Sequence, residues 1–274
     1  MTDSGQDTLR SRPVTVRTLL KMKKDGEKIA VLTAYDASFA ATLETAGVEV
    51  LLVGDSLGMV VQGRATTVPV TVDEMLYHSR MVARGCRYPL RIVDMPFMSY
   101  ATLDQALRTA ARLMQDGQAQ MVKLEGGAEV AETIRRLTRN GVPVCAHLGM
   151  LPQSVHKVGG YRVQGRTPEA ATQMIEEALM LQDAGADLMV VECIPAELAE
   201  RLAQALEIPL IGIGAGPACD GQVLVLYDIL DLTLGHRPKF SKSFMDGQGG
   251  VRGAAEAYVR AVKRGEFPGP EHCF

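Results

Sequence analysis

Eight short apolar segments recur along the chain, and each ends at polar residues or glycine. They are nearly continuous in hydrophobicity, which is typical of strands buried on both faces of a parallel sheet. Parallel strands need a crossover between them, so this repeat restricts the chain to α/β architectures. The segments are IAVLTAY (29–35), EVLLVGD (49–55), LRIVDM (90–95), QMVKLE (120–125), VPVCAHLG (142–149), DLMVVEC (187–193), IPLIGIGAG (208–216) and VLVLYDIL (223–230).

Helical patterns lie between these segments. Thr71 is followed three residues later by Glu74, the spacing of a capping box. Gly47 ends an alanine-rich stretch, as expected just beyond a helix C-terminus. The predicted helices cover 15–24, 37–46, 71–84, 103–114, 128–139, 168–184 and 196–206.

Strands alternating with helices over 274 residues predict an α/β fold, a (β/α)8 TIM barrel preceded by an N-terminal helix. No linker rich in proline, glycine or serine divides the chain, so we expect one domain over residues 1–274. A doubly wound open sheet is the alternative, but eight strands favour closure. The eighth strand is the least well defined by its pattern.

The composition excludes several classes of protein. The 29 basic and 32 acidic residues give a net charge of -3, aromatic residues make up 5%, and tryptophan is absent. Nothing here favours nucleic acid or an acidic membrane as a partner. The five scattered cysteines form no CxxC pair, which argues against a disulfide framework. Residues 1–12 lack the apolar core of a signal peptide, and no stretch is apolar enough to span a bilayer, so we expect a cytoplasmic protein.

Polar side chains collect at the C-terminal ends of the predicted strands, where TIM barrels carry their catalytic residues. Some have plainer alternatives: Asp55 and Ser56 could cap the next helix, and Asp94 could begin a turn. Lys123 could form a structural ion pair, and His147 could be a hydrogen-bonded core residue. Separate structural roles would not be expected to gather so many ionisable groups at one rim. The candidates are Asp55, Ser56, Asp94, Lys123, Glu125, His147 and Glu192.

Three of these strand ends supply carboxylates, from Asp55, Asp94 and Glu125. Carboxylates suit a hard cation such as Mg²⁺, which binds one or two of them together with water and substrate oxygens. A 2-oxo acid would complete such a shell, and Lys123 would neutralise the acid or a developing enolate oxygen. Glu192 is then the carboxylate left to act as a base. The strand ends therefore predict metal-assisted enolate chemistry.

Two long connections and one glycine-rich turn are further candidates for function. The connections 56–89 and 148–167 are longer than most loops of a compact domain, and the second could be a lid. The GIGAG run (212–216) follows the seventh strand, where many barrels bind phosphate. Glycine there has a plainer alternative, the relief of crowding at a tight turn.

Longer motifs resemble the ketopantoate hydroxymethyltransferase family, in the order expected and from about Thr15 to the end of the chain. VGDSLGMVVQG (53–63) and IGIGAGPACDGQVLV (211–225) are long and specific, which makes the match stronger than any single short motif. The other matching motifs are LTAYDASFA (32–40), DMPF (94–97), VKLEGG (122–127), AHLGMLPQS (146–154), GGYRVQGR (159–166), VECIP (191–195) and PKFSK (238–242).

The resemblance implies a barrel of the phosphoenolpyruvate/pyruvate type that binds Mg²⁺ and forms a homodecamer of two pentameric rings. It implies transfer of a hydroxymethyl group from 5,10-methylenetetrahydrofolate to 3-methyl-2-oxobutanoate, giving 2-dehydropantoate and tetrahydrofolate in pantothenate synthesis. The family's metal positions fall on Asp55, Asp94 and Glu125, the last directly or through water. Its oxo-acid contacts fall on Asp55, Ser56, Asp94 and Lys123. Its general base falls on Glu192, and His147 matches an active-site position of unassigned role.

Two rival interpretations stay open at this point. A Mg²⁺-dependent lyase or mutase of the same barrel group would share the carboxylates and the oxo-acid site but would not need folate. A non-enzymatic binding barrel would tolerate neutral substitutions of the charged rim residues.

Overall fold

Eight strands form the centre of the computed structural model, which describes residues 12–235 and 237–274. They are β1 (Ile29–Thr33), β2 (Val50–Val53), β3 (Leu90–Asp94), β4 (Met121–Glu125), β5 (Val144–Gly149), β6 (Leu188–Glu192), β7 (Leu210–Ile213) and β8 (Gly221–Leu224). Each strand pairs in parallel with the next one, and β8 returns to pair with β1. The predicted (β/α)8 barrel is therefore confirmed, and the open-sheet alternative is wrong.

Helices surround the barrel and connect its strands. The described α-helices are α1 (Val16–Asp25), α2 (Ala37–Thr45), α3 (Leu57–Val60), α4 (Val72–Gly85), α5 (Leu103–Gln115), α6 (Ala131–Arg139), α7 (Val155–Val158), α8 (Pro168–Asp183), α9 (Ala196–Ala205), α10 (Leu226–Ile229) and α11 (Val251–Lys263). The predicted capping box begins α4, where Thr71 and Glu74 each accept a backbone hydrogen bond from the other residue. Thr15, Asp36, Thr102 and Thr167 cap other helices in the same way, with a side-chain oxygen on a backbone N–H.

The core lies inside the barrel and between the barrel and its helices. Every residue of β1, β2, β4, β7 and β8 is buried, as the continuous hydrophobic segments predict. Burial of one such aliphatic side chain stabilises the fold by about 1.5–3 kcal/mol. The rigid barrel fixes where each strand ends and therefore where each strand-end side chain stands.

The eighth strand differs from its prediction. Residues 223–230 are not one strand: β8 covers Gly221–Leu224, and Leu226–Ile229 form α10. Leu224 is the last residue of β8 opposite β1, and the N–H of Leu226 donates to Thr33 Oγ1 at 2.9 Å. That hydrogen bond starts a helical turn, and the apolar side chains beyond it are buried by helix packing.

The helix α11 is absent from the sequence prediction. Glycines precede it and Gly253 lies in its first turn, and glycine disfavours helix on its own. Packing against the barrel stabilises it instead, since Tyr258 Oη lies 3.0 Å from the Val31 oxygen and 2.8 Å from the Gln222 oxygen. Lys263 Nζ pairs with the buried carboxylate of Glu49 at 2.7 Å.

Three further predictions concern membrane-spanning segments, a signal peptide and the number of domains. No helix in the ranges 12–235 and 237–274 has the length and apolar character needed to cross a membrane. The prediction that residues 1–12 contain no signal peptide concerns almost wholly residues 1–11, which lie outside the described ranges. That residues 1–274 form a single domain stays a prediction.

Candidate active site

The predicted strand-end residues meet at the C-terminal mouth of the barrel. The parallel register places Asp94 of β3 opposite Lys123 of β4. It also places Glu125 of β4 opposite His147 of β5. Side chains two residues apart on a strand share a face, so β4 directs Lys123 and Glu125 to the same side.

Lys123 and Asp94 form a buried ion pair at this mouth. Lys123 Nζ lies 2.7 Å from Asp94 Oδ1, and the two side chains are 6% and 4% exposed. Burial alone lowers the pKa of Lys123, but the carboxylates of Asp94, Glu125 and Asp55 outweigh it and raise that pKa. Lys123 is therefore an ammonium group. Removing two charges from water makes such a pair a poor stabiliser, so its position at the mouth favours function over structure.

Asp55 and Ser56 follow β2, and Asp55 contacts the same cluster. The backbone N–H of Asp55 donates to Asp94 Oδ2 at 3.0 Å, and Ser56 Oγ lies 2.9 Å from Tyr35 Oη. Ser56 precedes α3 without a capping hydrogen bond from its side chain, so the capping alternative for it is wrong. A Cβ on Gly54 would lie 2.8 Å from Ser56 Oγ, so a larger residue there would displace that hydroxyl group.

Negative charge exceeds positive charge in this cluster. Burial raises the pKa of Asp55 well above its ordinary value, and the charges of Asp94 and Glu125 raise it further. Lys123 and a hydrogen bond from Gln153 oppose that shift only in part. A bound cation would balance the excess.

The donor chemistry fits a hard divalent cation. Within the described residues, no group of three His, Cys, Asp or Glu side chains is arranged to hold a metal by itself. Mg²⁺ needs no such cage, because it binds through one or two carboxylates and keeps several waters. Asp55 and Asp94 are joined by a direct hydrogen bond and offer those carboxylates, with Glu125 near enough to raise the pKa of Asp55.

His147 lies between two carboxylates. Its Nδ1 is 3.6 Å from Glu125 Oε1, and its Nε2 is 3.3 Å from Glu192 Oε2. Neither nitrogen has a well-aligned hydrogen bond among the described residues. Burial and the charge of Lys123 lower the pKa of His147, but Glu125 and Glu192 outweigh them and raise it. His147 thus lies between those two carboxylates without a well-aligned hydrogen bond, unlike the predicted alternative of a hydrogen-bonded core residue.

Glu192 is the most accessible carboxylate of the group. Its side chain is 14% exposed, whereas that of Asp94 is 4% exposed and that of Glu125 is 3% exposed. The close approach of β5 to the backbone of Glu192 depends on Gly149. Its φ is 93°, and a Cβ there would lie 2.2 Å from the backbone oxygen of Glu192. A general base must come within hydrogen-bond reach of the proton that it removes. Among these carboxylates, Glu192 is the one that a substrate reaches most readily.

Gln153 and Tyr100 are parts of the site that the strand-end argument misses. Gln153 is buried and its Nε2 donates to Asp55 Oδ2 at 2.9 Å, while its backbone N–H donates to Glu125 Oε2 at 3.0 Å. Tyr100 Oη donates to Gln153 Oε1 at 2.7 Å. The one sequence signal for Gln153 is its place in the motif AHLGMLPQS (146–154), since no periodicity marks a loop residue.

The GIGAG turn is packed by aromatic residues. A Cβ on Gly214 would lie 3.0 Å from the Phe274 ring and 3.1 Å from Phe240 Cβ. This agrees with the predicted alternative, in which glycine relieves crowding at a tight turn.

Solved structures with the same fold belong to enzymes of other activities. A putative phosphonomutase from Burkholderia cenocepacia J2315 has a TM-score of 0.62 at 18% identity, covering 79% of this chain and 94% of that chain. A 2,3-dimethylmalate lyase, described as a member of the PEP mutase/isocitrate lyase superfamily, has a TM-score of 0.55 at 19% identity, covering 76% and 80%. A phosphonopyruvate hydrolase in complex with oxalate and Mg²⁺ has a TM-score of 0.58 at 13% identity, covering 77% and 80%. These likenesses show that the (β/α)8 barrel fold is shared.

Sequence relatives are much closer. A protein of Alkalilimnicola ehrlichii named 3-methyl-2-oxobutanoate hydroxymethyltransferase is 60% identical over 271 residues, covering 99% of this chain and 98% of its own. A protein of the same name from Nitrosococcus oceani is 59% identical over 255 residues, covering 93% and 97%. The sequence profile described as ketopantoate hydroxymethyltransferase matches residues 13–270. The chain belongs to the ketopantoate hydroxymethyltransferase family.

Proposed function

We propose that this chain transfers a hydroxymethyl group from 5,10-methylenetetrahydrofolate to 3-methyl-2-oxobutanoate, giving 2-dehydropantoate and tetrahydrofolate in pantothenate biosynthesis. The oxo acid is the one in its relatives' printed name. The observation that carries the chemistry is the buried Lys123–Asp94 pair beside Asp55, with the accessible carboxylate of Glu192 at the same mouth.

Asp55 and Asp94 are the proposed direct ligands of Mg²⁺, and Glu125 is proposed to bind it directly or through water. Mg²⁺, when bound, supplies Lewis-acid polarisation of the oxo acid's oxygens. These carboxylates would hold the cation near the Lys123 ammonium group, so that the two positive charges would act on one anionic substrate.

Lys123 and Ser56 are proposed to bind the carboxylate of the oxo acid. Lys123 is a buried ammonium group, and its charge is worth more in this dry surrounding than in water. The Ser56 hydroxyl shares a hydrogen bond with Tyr35 and so has a fixed orientation. Together they set which end of the oxo acid lies inward.

Glu192 is proposed to remove the proton from C3 of the oxo acid. The electron pair of the C–H bond becomes the enolate, whose oxygen is stabilised by the positive charge of Lys123. The C3 carbon then forms a bond to the methylene carbon of the folate as one of the two bonds from that carbon to folate nitrogens breaks. Water supplies the hydroxyl group as the second carbon–nitrogen bond breaks, and the proton taken from C3 and the second proton of water end on the two nitrogens of tetrahydrofolate. His147 contacts Glu192 at 3.3 Å and is proposed as the residue that positions this base.

Three further properties are proposals as well. A homodecamer of two pentameric rings is implied by family membership, a cytoplasmic location is proposed from the sequence composition, and a lid formed by residues 148–167 is proposed from the length of that connection. The partners proposed are small molecules alone.

The direct test is an assay of product formation with the purified protein. We expect 2-dehydropantoate from 3-methyl-2-oxobutanoate only when 5,10-methylenetetrahydrofolate is present, and loss of the product after EDTA treatment with recovery on added Mg²⁺. Turnover of the oxo acid without folate would contradict the proposal and favour a lyase or mutase. No turnover of this oxo acid with both additions would reject the substrate.

A further inference from the structure

The connection after β5 has a charge pattern unlike the rest of the chain. The protein as a whole carries a net charge of -3, yet residues 148–167 contain Lys157, Arg162 and Arg166 and no aspartate or glutamate. We call residues 155–166 of this connection the basic loop. An unbalanced positive segment beside a binding mouth attracts anions.

The basic loop is held against the candidate site at both ends. Val155, at its start, packs with Met150 and with Cys193, the neighbour of Glu192. Toward its other end, the backbone N–H of Gln164 donates to the Cys193 oxygen at 2.9 Å. The loop therefore runs along the side of the mouth where Glu192 is accessible.

The positive side chains of the basic loop are available to a ligand. Lys157, Arg162 and Arg166 are exposed, and none pairs with a carboxylate in the described ranges. Charged side chains elsewhere do pair, as Arg64 does with Glu74 at 2.6 Å and Arg112 with Asp73 at 2.5 Å.

Tyr161 places an aromatic ring in the same loop. It is 54% exposed, and its hydroxyl group lies 3.3 Å from Met59 Sδ on α3, the helix that follows Ser56. Partial burial raises the pKa of Tyr161, and so do the negative charges of Glu192, Asp55 and Glu125. The ring therefore stands near the candidate site with much of its surface open.

We propose that the basic loop binds the folate co-substrate, with the Tyr161 ring against its fused ring system and with Lys157 and Arg162 pairing with its carboxylates. This inference rests on the proposed function. The interior cluster already offers the small oxo acid the Lys123 ammonium group and the carboxylates proposed to hold a cation. A second substrate that is aromatic at one end and anionic at the other needs an open ring surface and external positive charge. The basic loop offers both beside Glu192.

The test uses two probes that differ in charge, tetrahydrofolate and 6-methyltetrahydropterin, which has no carboxylate. Their dissociation constants are measured by calorimetry under anaerobic conditions, with 3-methyl-2-oxobutanoate and Mg²⁺ present. The variants are Lys157→Gln/Arg162→Gln, Tyr161→Ala and Tyr161→Phe. The matched control is Lys24→Gln/Arg139→Gln, which removes two exposed positive charges from helix ends that precede strands, at the opposite end of the barrel.

We expect Lys157→Gln/Arg162→Gln to weaken tetrahydrofolate binding about tenfold, the effect of losing two partly screened charge pairs. Binding of the pterin should be unchanged. Tyr161→Ala should weaken both probes, and Tyr161→Phe, which keeps the ring, should restore them. The control should bind both probes as the wild type does. Wild-type affinity for tetrahydrofolate should also fall with salt more steeply than that of the double variant.

Equal weakening of both probes by the double variant, or as large an effect in the control, would overturn the inference, as would unchanged tetrahydrofolate binding. Exchange of the C3 proton of 3-methyl-2-oxobutanoate needs no folate and separates this inference from the proposed function. Exchange and tetrahydrofolate binding in the wild type, with the same tetrahydrofolate affinity in Lys157→Gln/Arg162→Gln, would overturn the inference alone. Absence of exchange, or of tetrahydrofolate binding, in the wild type would reject the proposed function as well.

Discussion

Gln153 Nε2 donates a 2.9 Å hydrogen bond to Asp55 Oδ2, joining the loop after β5 to the end of β2 across 98 residues of chain. The same amide also donates to the Met95 oxygen at 3.0 Å, and its oxygen accepts from Tyr100 Oη. One neutral side chain thus fixes the orientation of a carboxylate proposed to bind both metal and substrate.

Replacing Gln153 by alanine should therefore lower both stability and metal affinity. The change leaves buried Asp55 and Met95 oxygens without that donor, which costs about 1–3 kcal/mol. Urea unfolding measures the stability, and activity against Mg²⁺ concentration measures the apparent affinity. The control is Gln173→Ala at an exposed position of α8, and it should change neither the stability nor the apparent Mg²⁺ affinity. Wild-type stability in Gln153→Ala would show that water replaces the amide without loss.

Replacing Lys123 by methionine should abolish most of the activity while retaining the barrel. The variant keeps the length of the side chain but leaves Asp94 without its ion-pair partner and the oxo acid without its ammonium group. We expect the rate of product formation to fall by about 10²-fold or more, because a preorganised charge in a dry site is lost. Circular dichroism checks the fold, and Lys24→Met is the control. Activity within about twofold of wild type would assign Lys123 a purely structural role.

Replacing Asp94 by asparagine should weaken the cation and the oxo acid together. The amide keeps the shape of the side chain but removes the charge that faces both Lys123 and the proposed metal. Binding of Mn²⁺, a paramagnetic substitute for Mg²⁺, is followed with and without the oxo acid, and Asp104→Asn on the surface serves as the control. Metal binding unchanged in Asp94→Asn would contradict the proposed ligand set.

The capping box of α4 makes a stability prediction with a definite pH dependence. Burial raises the pKa of Glu74, but hydrogen bonds from Thr71, Arg64 and Gln62 outweigh it and lower that pKa below its ordinary 4.5. A lowered carboxyl pKa stabilises the fold above the unfolded value, and the effect is lost as pH falls through the folded value. Glu74→Gln should lower the free energy of unfolding by about 0.5–1 kcal/mol at pH 7, and this gap between wild type and variant should shrink below pH 4.5. A gap that is constant or grows toward low pH in urea unfolding would contradict this.

The strand-end residues of the site can be predicted from sequence, because a parallel barrel brings the C-terminal ends of all its strands to one mouth. Asp94 ends β3 and Glu125 ends β4, Lys123 lies two residues before that end, and the register then makes Asp94 and Lys123 neighbours.

Other parts depend on tertiary packing that no local pattern records. Gln153 reaches Asp55 because its loop crosses the mouth, and that path depends on contacts with other strands. The helix α11 forms because Tyr258 and Lys263 find partners on the barrel, not because its glycine-rich start favours helix. β8 stops at Leu224 because the Thr33 hydroxyl group accepts a hydrogen bond from the N–H of Leu226, although the hydrophobic run continues to Leu230.

The central claim is that Glu192 takes the C3 proton of 3-methyl-2-oxobutanoate at this barrel mouth. Proton NMR in deuterated buffer follows that signal for wild type and Glu192→Gln, each with and without Mg²⁺, while oxo-acid binding is measured in parallel. We predict Mg²⁺-dependent loss of the signal with the wild type and a rate lower by about 10²–10⁴-fold in Glu192→Gln, which still binds the oxo acid. Exchange at the wild-type rate in Glu192→Gln would contradict the account.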